Sequence, residues 1–208
     1  MTGLRNKQKA AREKRILTAA ILKFRAESYR SVRIEALAEI AEVSVGTVYN
    51  YFKTKGDILI ATVTLEVEEV LGSGAEIIAN PPKGVDEALL SLIFRYYDHS
   101  LKYLSKEMWC TAMALSIEAP KTPSGLHYSE LDKMLAAQVT ELIRKLQARG
   151  DIKSELDTDA IGQLVFNNLN QMFIEFVKDE DMTLETLRNR VATQIRPLTK
   201  LIVREGAE

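Results

Sequence analysis

Apolar residues recur at helical spacing soon after the N-terminus. Ile16, Leu17, Ala20 and Phe24 follow the i, i+1, i+4, i+8 rhythm of one buried helix face. A second, shorter pattern carries Ile34, Leu37, Ala38 and Ala41, and a third carries Val48 and Phe52. Between the second and third lies only Glu42-Val43-Ser44, room for a tight turn in which Val43 plugs the space between helices and Ser44 caps the next one through its hydroxyl. At about 100° per residue, Val48 and Phe52 share one side of the third helix, while Gly46, Thr47 and Asn50 point the other way and Tyr49 and Tyr51 flank them. Short helices joined this tightly, with small and polar side chains facing outward on the last, are the sequence form of a helix-turn-helix, whose second helix lies in the major groove of DNA.

Helical patterns continue to the end of the chain. A fourth helix is expected over residues 55–71, closed by Gly72-Ser73-Gly74 and followed by Asn80-Pro81-Pro82-Lys83-Gly84. Further helices are expected at 85–104, 106–118, 127–149, 157–178 and 183–205, with residues 119–125 a loop because two prolines and a glycine break it, and with Pro197 kinking the last helix. Alternating strand patterns are missing, which predicts an all-α protein: a helix-turn-helix domain over residues 1–55, its residues 1–10 a flexible basic arm, then a helical bundle over 56–208. The last two helices carry apolar stripes, Ile161, Val165, Met172 and Phe176 on one and Leu187, Val191, Ile195 and Leu198 on the other. Such stripes suit a four-helix seam between two copies of the chain, and burial within one subunit would give the same spacing.

Charge sharpens this picture. The net charge of 208 residues is only -1, yet residues 1–60 hold 12 Lys and Arg against 6 Asp and Glu, leaving +6 at the head and -7 in the rest. That asymmetry points to a polyanionic partner for the first segment only. One cysteine, Cys110, excludes an internal disulfide, and with His99 and His127 as the only histidines no zinc-site spacing exists. No nucleophile elbow, phosphate loop or Ser/His/Asp order appears, so neither a catalytic residue, a metal nor a cofactor is expected, and an enzyme is disfavoured. No stretch approaches the roughly 20 apolar residues of a membrane span, and the basic N-terminus lacks a signal-peptide core, which predicts a cytoplasmic chain without membrane contact.

Across residues 12–60 the chain resembles the tetracycline-repressor (TetR) family of bacterial transcription regulators, through Ile16-Leu17, Ala19-Ala20, Phe24, Leu37-Ala38, Ala41, Val43-Ser44, Gly46-Thr47-Val48-Tyr49, Tyr51-Phe52 and Lys55. Three positions depart from the family pattern: Glu42 where glycine would relieve a left-handed backbone, Ser28 where glycine commonly ends the first helix, and Arg33 at the expected N-cap of the second. The resemblance implies a homodimer that sets one recognition helix per subunit into a palindromic double-stranded DNA operator, released by a small-molecule effector. It implies Thr47 and Tyr51 near bases, Tyr49 and Lys55 on phosphates, and Ser44 as cap and phosphate donor. The angular reading adds Asn50, with Arg33, Val45 and Gly46 completing the expected DNA-facing set. Phe94, Tyr97, Met108, Trp109, Met113, Phe166, Asn170 and Phe173 are the aromatic, Met and amide side chains from which an effector pocket could be lined, or else plain core. A constitutive DNA binder without a ligand and a helical protein-interaction module are the alternatives, separated by whether binding weakens steeply with salt.

Overall fold

The structure is a computed structural model that describes residues 2–204, with side chains from residue 6 onward. Among the described residues it holds nine helices: α1 (Thr2–Ala26), α2 (Ile34–Ile40), α3 (Val45–Tyr51), α4 (Lys55–Ala79), α5 (Val85–His99), α6 (Lys106–Glu118), α7 (Pro123–Arg149), α8 (Thr158–Lys178) and α9 (Leu184–Ile202). Extended pairing is confined, among these residues, to a bridge between Ile152 and Val203. The protein is therefore all-α. No helix of the described residues is long and apolar enough to cross a membrane.

The chain forms two compact units, Met1–Glu66 with Lys102–Tyr128, and Val67–Leu101 with Ser129–Glu208. The first unit thus takes in α6, which a division after residue 55 leaves out, because Glu107 accepts a hydrogen bond from the Tyr29 N–H (3.3 Å) and Ser124 donates to Asp57. Its core is Ile16, Ala20, Phe24, Leu37, Val48, Ile58 and Leu59, each no more than 1% exposed. The expected basic arm is helical from Thr2 onward, since Lys, Gln, Ala, Arg and Glu are strong helix formers and nothing after Gly3 breaks the run; Met1 lies outside the described residues.

Main-chain bonds close the turn between α2 and α3. The Glu42 N–H donates to Glu39 O (3.0 Å) and the Val43 N–H to Ala38 O (3.0 Å), the paired bonds of a Schellman motif. That motif needs a left-handed residue, and Glu42 takes the position at φ 51°, the single non-glycine at positive φ among the described residues. The strain is on the order of 1 kcal/mol, and its exposed ion pair with Arg15 (3.4 Å) offsets little of it. Ser28 needs no such backbone, because Ser31 closes that turn through its N–H and hydroxyl on Ser28 O (3.0 and 2.8 Å).

Of the breaks expected from the sequence, one is absent and one is shorter. Helix α4 runs through Gly72 and Gly74 to Ala79. In the second unit Gly74 lies against α7, where a Cβ would sit 2.9 Å from Gln138 Cδ and 3.0 Å from Leu92 Cδ1, while Gln138 donates to Leu71 O (2.8 Å) and accepts from the Tyr96 hydroxyl (2.7 Å). The glycine serves close helix approach rather than termination. Helix α7 likewise begins inside the expected 119–125 loop, with Pro123 as its first residue, where a missing N–H costs nothing, and with the Thr122 hydroxyl accepting from the Gly125 N–H (3.2 Å).

In the second unit α9 packs on α5 and α8, with Asp157 and Thr183 capping α8 and α9. This corrects the expected seam between copies. Ile161, Val165, Met172, Phe176, Leu187, Val191 and Ile195 are all buried within one chain, and Leu198 alone of the eight stays half-exposed. Their spacing records intrasubunit packing. Gly162 lets α8 approach α7 at Thr140.

Candidate nucleic-acid interface

Helix α3 is short, and its ends are fixed locally. The Ser44 hydroxyl accepts from the Thr47 N–H (3.1 Å) and pairs with the Thr47 hydroxyl (2.8 Å), while the Phe52 N–H closes the other end on Val48 O (2.9 Å). Val48 is fully buried and Phe52 nearly so, which fixes the rotation of the helix and turns Gly46, Tyr49 and Asn50 to solvent. Val45, Thr47 and Tyr51 are half-buried at its margins. Its surface thus presents a glycine, a hydroxyl, an amide and a phenol and carries no charge, a set able to donate to and accept from base edges. Arg33, exposed at the start of α2, makes no side-chain cap and has only an exposed pairing with Glu35 (3.5 Å).

Tyr51 and Lys55 are placed differently from the expectation. The Tyr51 hydroxyl donates to Lys9 O (3.2 Å), so the phenol bridges to α1 as well as bordering the outer face. The Lys55 ammonium donates to three carbonyls, Tyr29 O (2.8 Å), Val32 O (3.0 Å) and Arg30 O (3.1 Å), and stands 4.5 Å from the centre of the Tyr29 ring. An ammonium has three N–H groups, and all are engaged. The cation at a helix start thus has an internal reason, the carbonyls left over after α1, and the phosphate contact implied by resemblance is replaced by a structural one. Burial pushes the Lys55 pKa down against the pull of Glu107, and burial together with the charge of Asp57 pushes Tyr29 up to about 12. Tyr29, Lys55 and Glu107 form a junction that the sequence does not reveal, since its residues come from three separate segments.

The eight side chains expected around an effector fall in both units. Met108, Trp109 and Met113 lie on α6 in the first. In the second, the Tyr97 hydroxyl donates to Leu169 O (2.8 Å) and its ring stacks on Phe173 at 6.1 Å, an arrangement of core residues, while Phe166 is buried and Asn170 half-buried. Phe94 lines an open cleft of about 460 Å³ with Glu76, Asn80, Arg95 and Asp98. Another cleft, of about 500 Å³, lies in the first unit beside Tyr29, Glu107, Cys110 and Leu115 and includes none of the eight.

Residues 16–62 match the family model described as bacterial regulatory proteins, tetR family. The chain is 39% identical over 71 residues to the HTH-type transcriptional repressor KstR of Rhodococcus jostii, a match that covers 34% of this chain and 32% of that protein. The match thus spans about a third of that relative's length. Similarity to the fatty acid metabolism regulator protein of Bacillus subtilis is lower and longer, 27% over 192 residues, covering 89% of this chain and 94% of that one. The crystal structure of the regulator FadR from Bacillus subtilis, solved in complex with stearoyl-CoA, aligns with a TM-score of 0.66 at 22% identity, covering 88% of this chain and 96% of that chain. At that identity the likeness establishes the fold.

Proposed function

Because the chain belongs, through its head, to the tetR family of bacterial regulatory proteins, we propose that it is a DNA-binding transcriptional repressor that holds a palindromic operator as a homodimer and releases it on binding a small molecule. The observation that carries this reading is α3 itself: capped by Ser44, fixed in rotation by buried Val48, and turning Gly46, Tyr49 and Asn50 outward with Thr47 at the margin. Thr47 and Asn50 read bases, Tyr49 and the Ser44 hydroxyl meet phosphates, and Arg33 reaches the backbone from the start of α2.

Footprinting on the protein's own genome tests it. A protected palindrome whose affinity falls steeply with salt is expected, and Thr47→Ala or Asn50→Ala should each relax preference at single base pairs by about 1–3 kcal/mol. Absence of both a protected site and salt-sensitive DNA binding overturns the reading. For the effector, the similarity to a fatty acid regulator and to a fold that holds stearoyl-CoA makes a long-chain acyl-CoA the first compound to add. A 100-fold release of DNA requires about 2.7 kcal/mol of differential affinity between the two states.

With the apolar stripes buried inside each chain, the seam between copies falls on the exposed face of α8 and α9 around Leu164 and Leu201. Leu164 (60% exposed), Asn167 and Gln171 supply one helix and Pro197 and Leu201 (71% exposed) the other, with Asn168 Nδ2 donating to Gln194 Oε1 (2.5 Å) between them. Leu164→Glu with Leu201→Glu should sediment as a folded monomer and lose the operator. A variant that remains dimeric places the seam elsewhere.

A further inference from the structure

The face of α1 that builds the head's core changes character toward the N-terminus. Ile16 and Ala20 are fully buried there, and at about 100° per residue Arg12 and Lys9 fall within about 60° of one another and continue the same face. Both are exposed, because the helix has by then run past the core it packs on. Lys7 and Lys14 lie close together on the opposite face, about 160° or more from Ile16. Glu13 is the single acidic residue of α1, and none of these four cations has an ion pair among the described residues. The Tyr51 hydroxyl, at the end of the recognition helix, donates to the backbone oxygen of Lys9 itself. The cationic stretch on the core-side face therefore borders the outward surface of α3.

We infer that Lys9 and Arg12 form a second DNA contact, gripping phosphates of the duplex that flanks the base pairs read by α3, and that Tyr51 sets this extension of α1 against the recognition helix. The inference rests on the DNA-binding reading and deepens it. Double-stranded DNA is the partner because the stripe continues an uncharged, groove-suited helix surface with unneutralised positive charge, which is the arrangement that tracks a phosphate backbone. Its contribution is independent of sequence: it adds affinity and salt dependence and leaves base preference to α3.

Two double variants of equal charge separate this contact from general attraction, Lys9→Gln with Arg12→Gln, and Lys7→Gln with Lys14→Gln. All four positions are exposed, so both fold. Affinity for the footprinted operator is measured against salt concentration, on a duplex with flanks and on one trimmed to the protected bases. The first variant should flatten the slope of log K against log salt by about 0.9 for each phosphate it no longer neutralises, up to about 3.6 for the four side chains of a dimer, and should bind the flanked and trimmed duplexes alike. The second should keep the wild-type slope and the wild-type preference for flanks. Equal weakening in both variants, or in neither, overturns the inference while leaving the DNA-binding reading in place. A wild-type protein without salt-sensitive DNA binding overturns both.

Discussion

Lys55→Met should lower the stability of the head by about 2–4 kcal/mol, because three carbonyls lose a charged donor at once and methionine offers nothing in return. The side chain keeps its length and apolar stem, so the effect isolates the ammonium. The removal of its stacking on Tyr29 adds to it, by about 0.5–1 kcal/mol. Lys55→Arg should recover only part, since a planar fork cannot place three donors where a tetrahedral ammonium places them. Urea denaturation of the full chain checks the magnitude. The salt slope of operator binding, measured in the cold where the variant stays folded, checks the cause. An unchanged slope fits a cation that holds the turn after α1 together, whereas a slope flattened by about 1.8, for the two copies in a dimer, would return Lys55 to the phosphates.

Gly162→Val should be the most damaging exchange in the second unit, costing about 3 kcal/mol or more. A Cβ at this position would stand 2.8 Å from the Cα and 2.9 Å from the Cβ of Thr140, and a backbone atom cannot swing aside as a side-chain tip can. Even Gly162→Ala should destabilise, reversing the gain of about 1 kcal/mol that alanine brings to a helix interior. Thr140→Ala added to Gly162→Ala should recover some of the stability, because it removes the hydroxyl and leaves the Cα. Denaturant unfolding of the three variants orders them; a Gly162→Ala protein as stable as wild type would mean that α7 and α8 can separate freely here.

These two sites also show where the sequence is readable. The apolar spacing around Ile16, Leu37 and Val48, the Ser44 cap, the uncapped Arg33 and the left-handed Glu42 are all local, set by residues within a turn or two, and each is legible. Close packing of distant helices leaves no such local trace. Gly74 and Gly162 look like helix breakers or weak points until Gln138 and Thr140 stand opposite them. The stripes on α8 and α9 announce burial without saying whether the covering surface belongs to the same chain. Lys55 stands out in the sequence as a cation in an unfavourable place, but the carbonyls that explain it come from residues 23–26 positions earlier.

Because the α2–α3 turn is closed by main-chain bonds and the rotation of α3 by Val48, the outward side chains Gly46, Tyr49 and Asn50 are not needed to hold the helix where it is. On the proposed DNA-binding reading, recognition and architecture are therefore largely separate inheritances in this head. Exchanges at those positions can accumulate without unfolding it, so a duplicated copy could drift to a new operator one base pair at a time, or a library built on these positions could be selected for one, on a scaffold that tolerates the search.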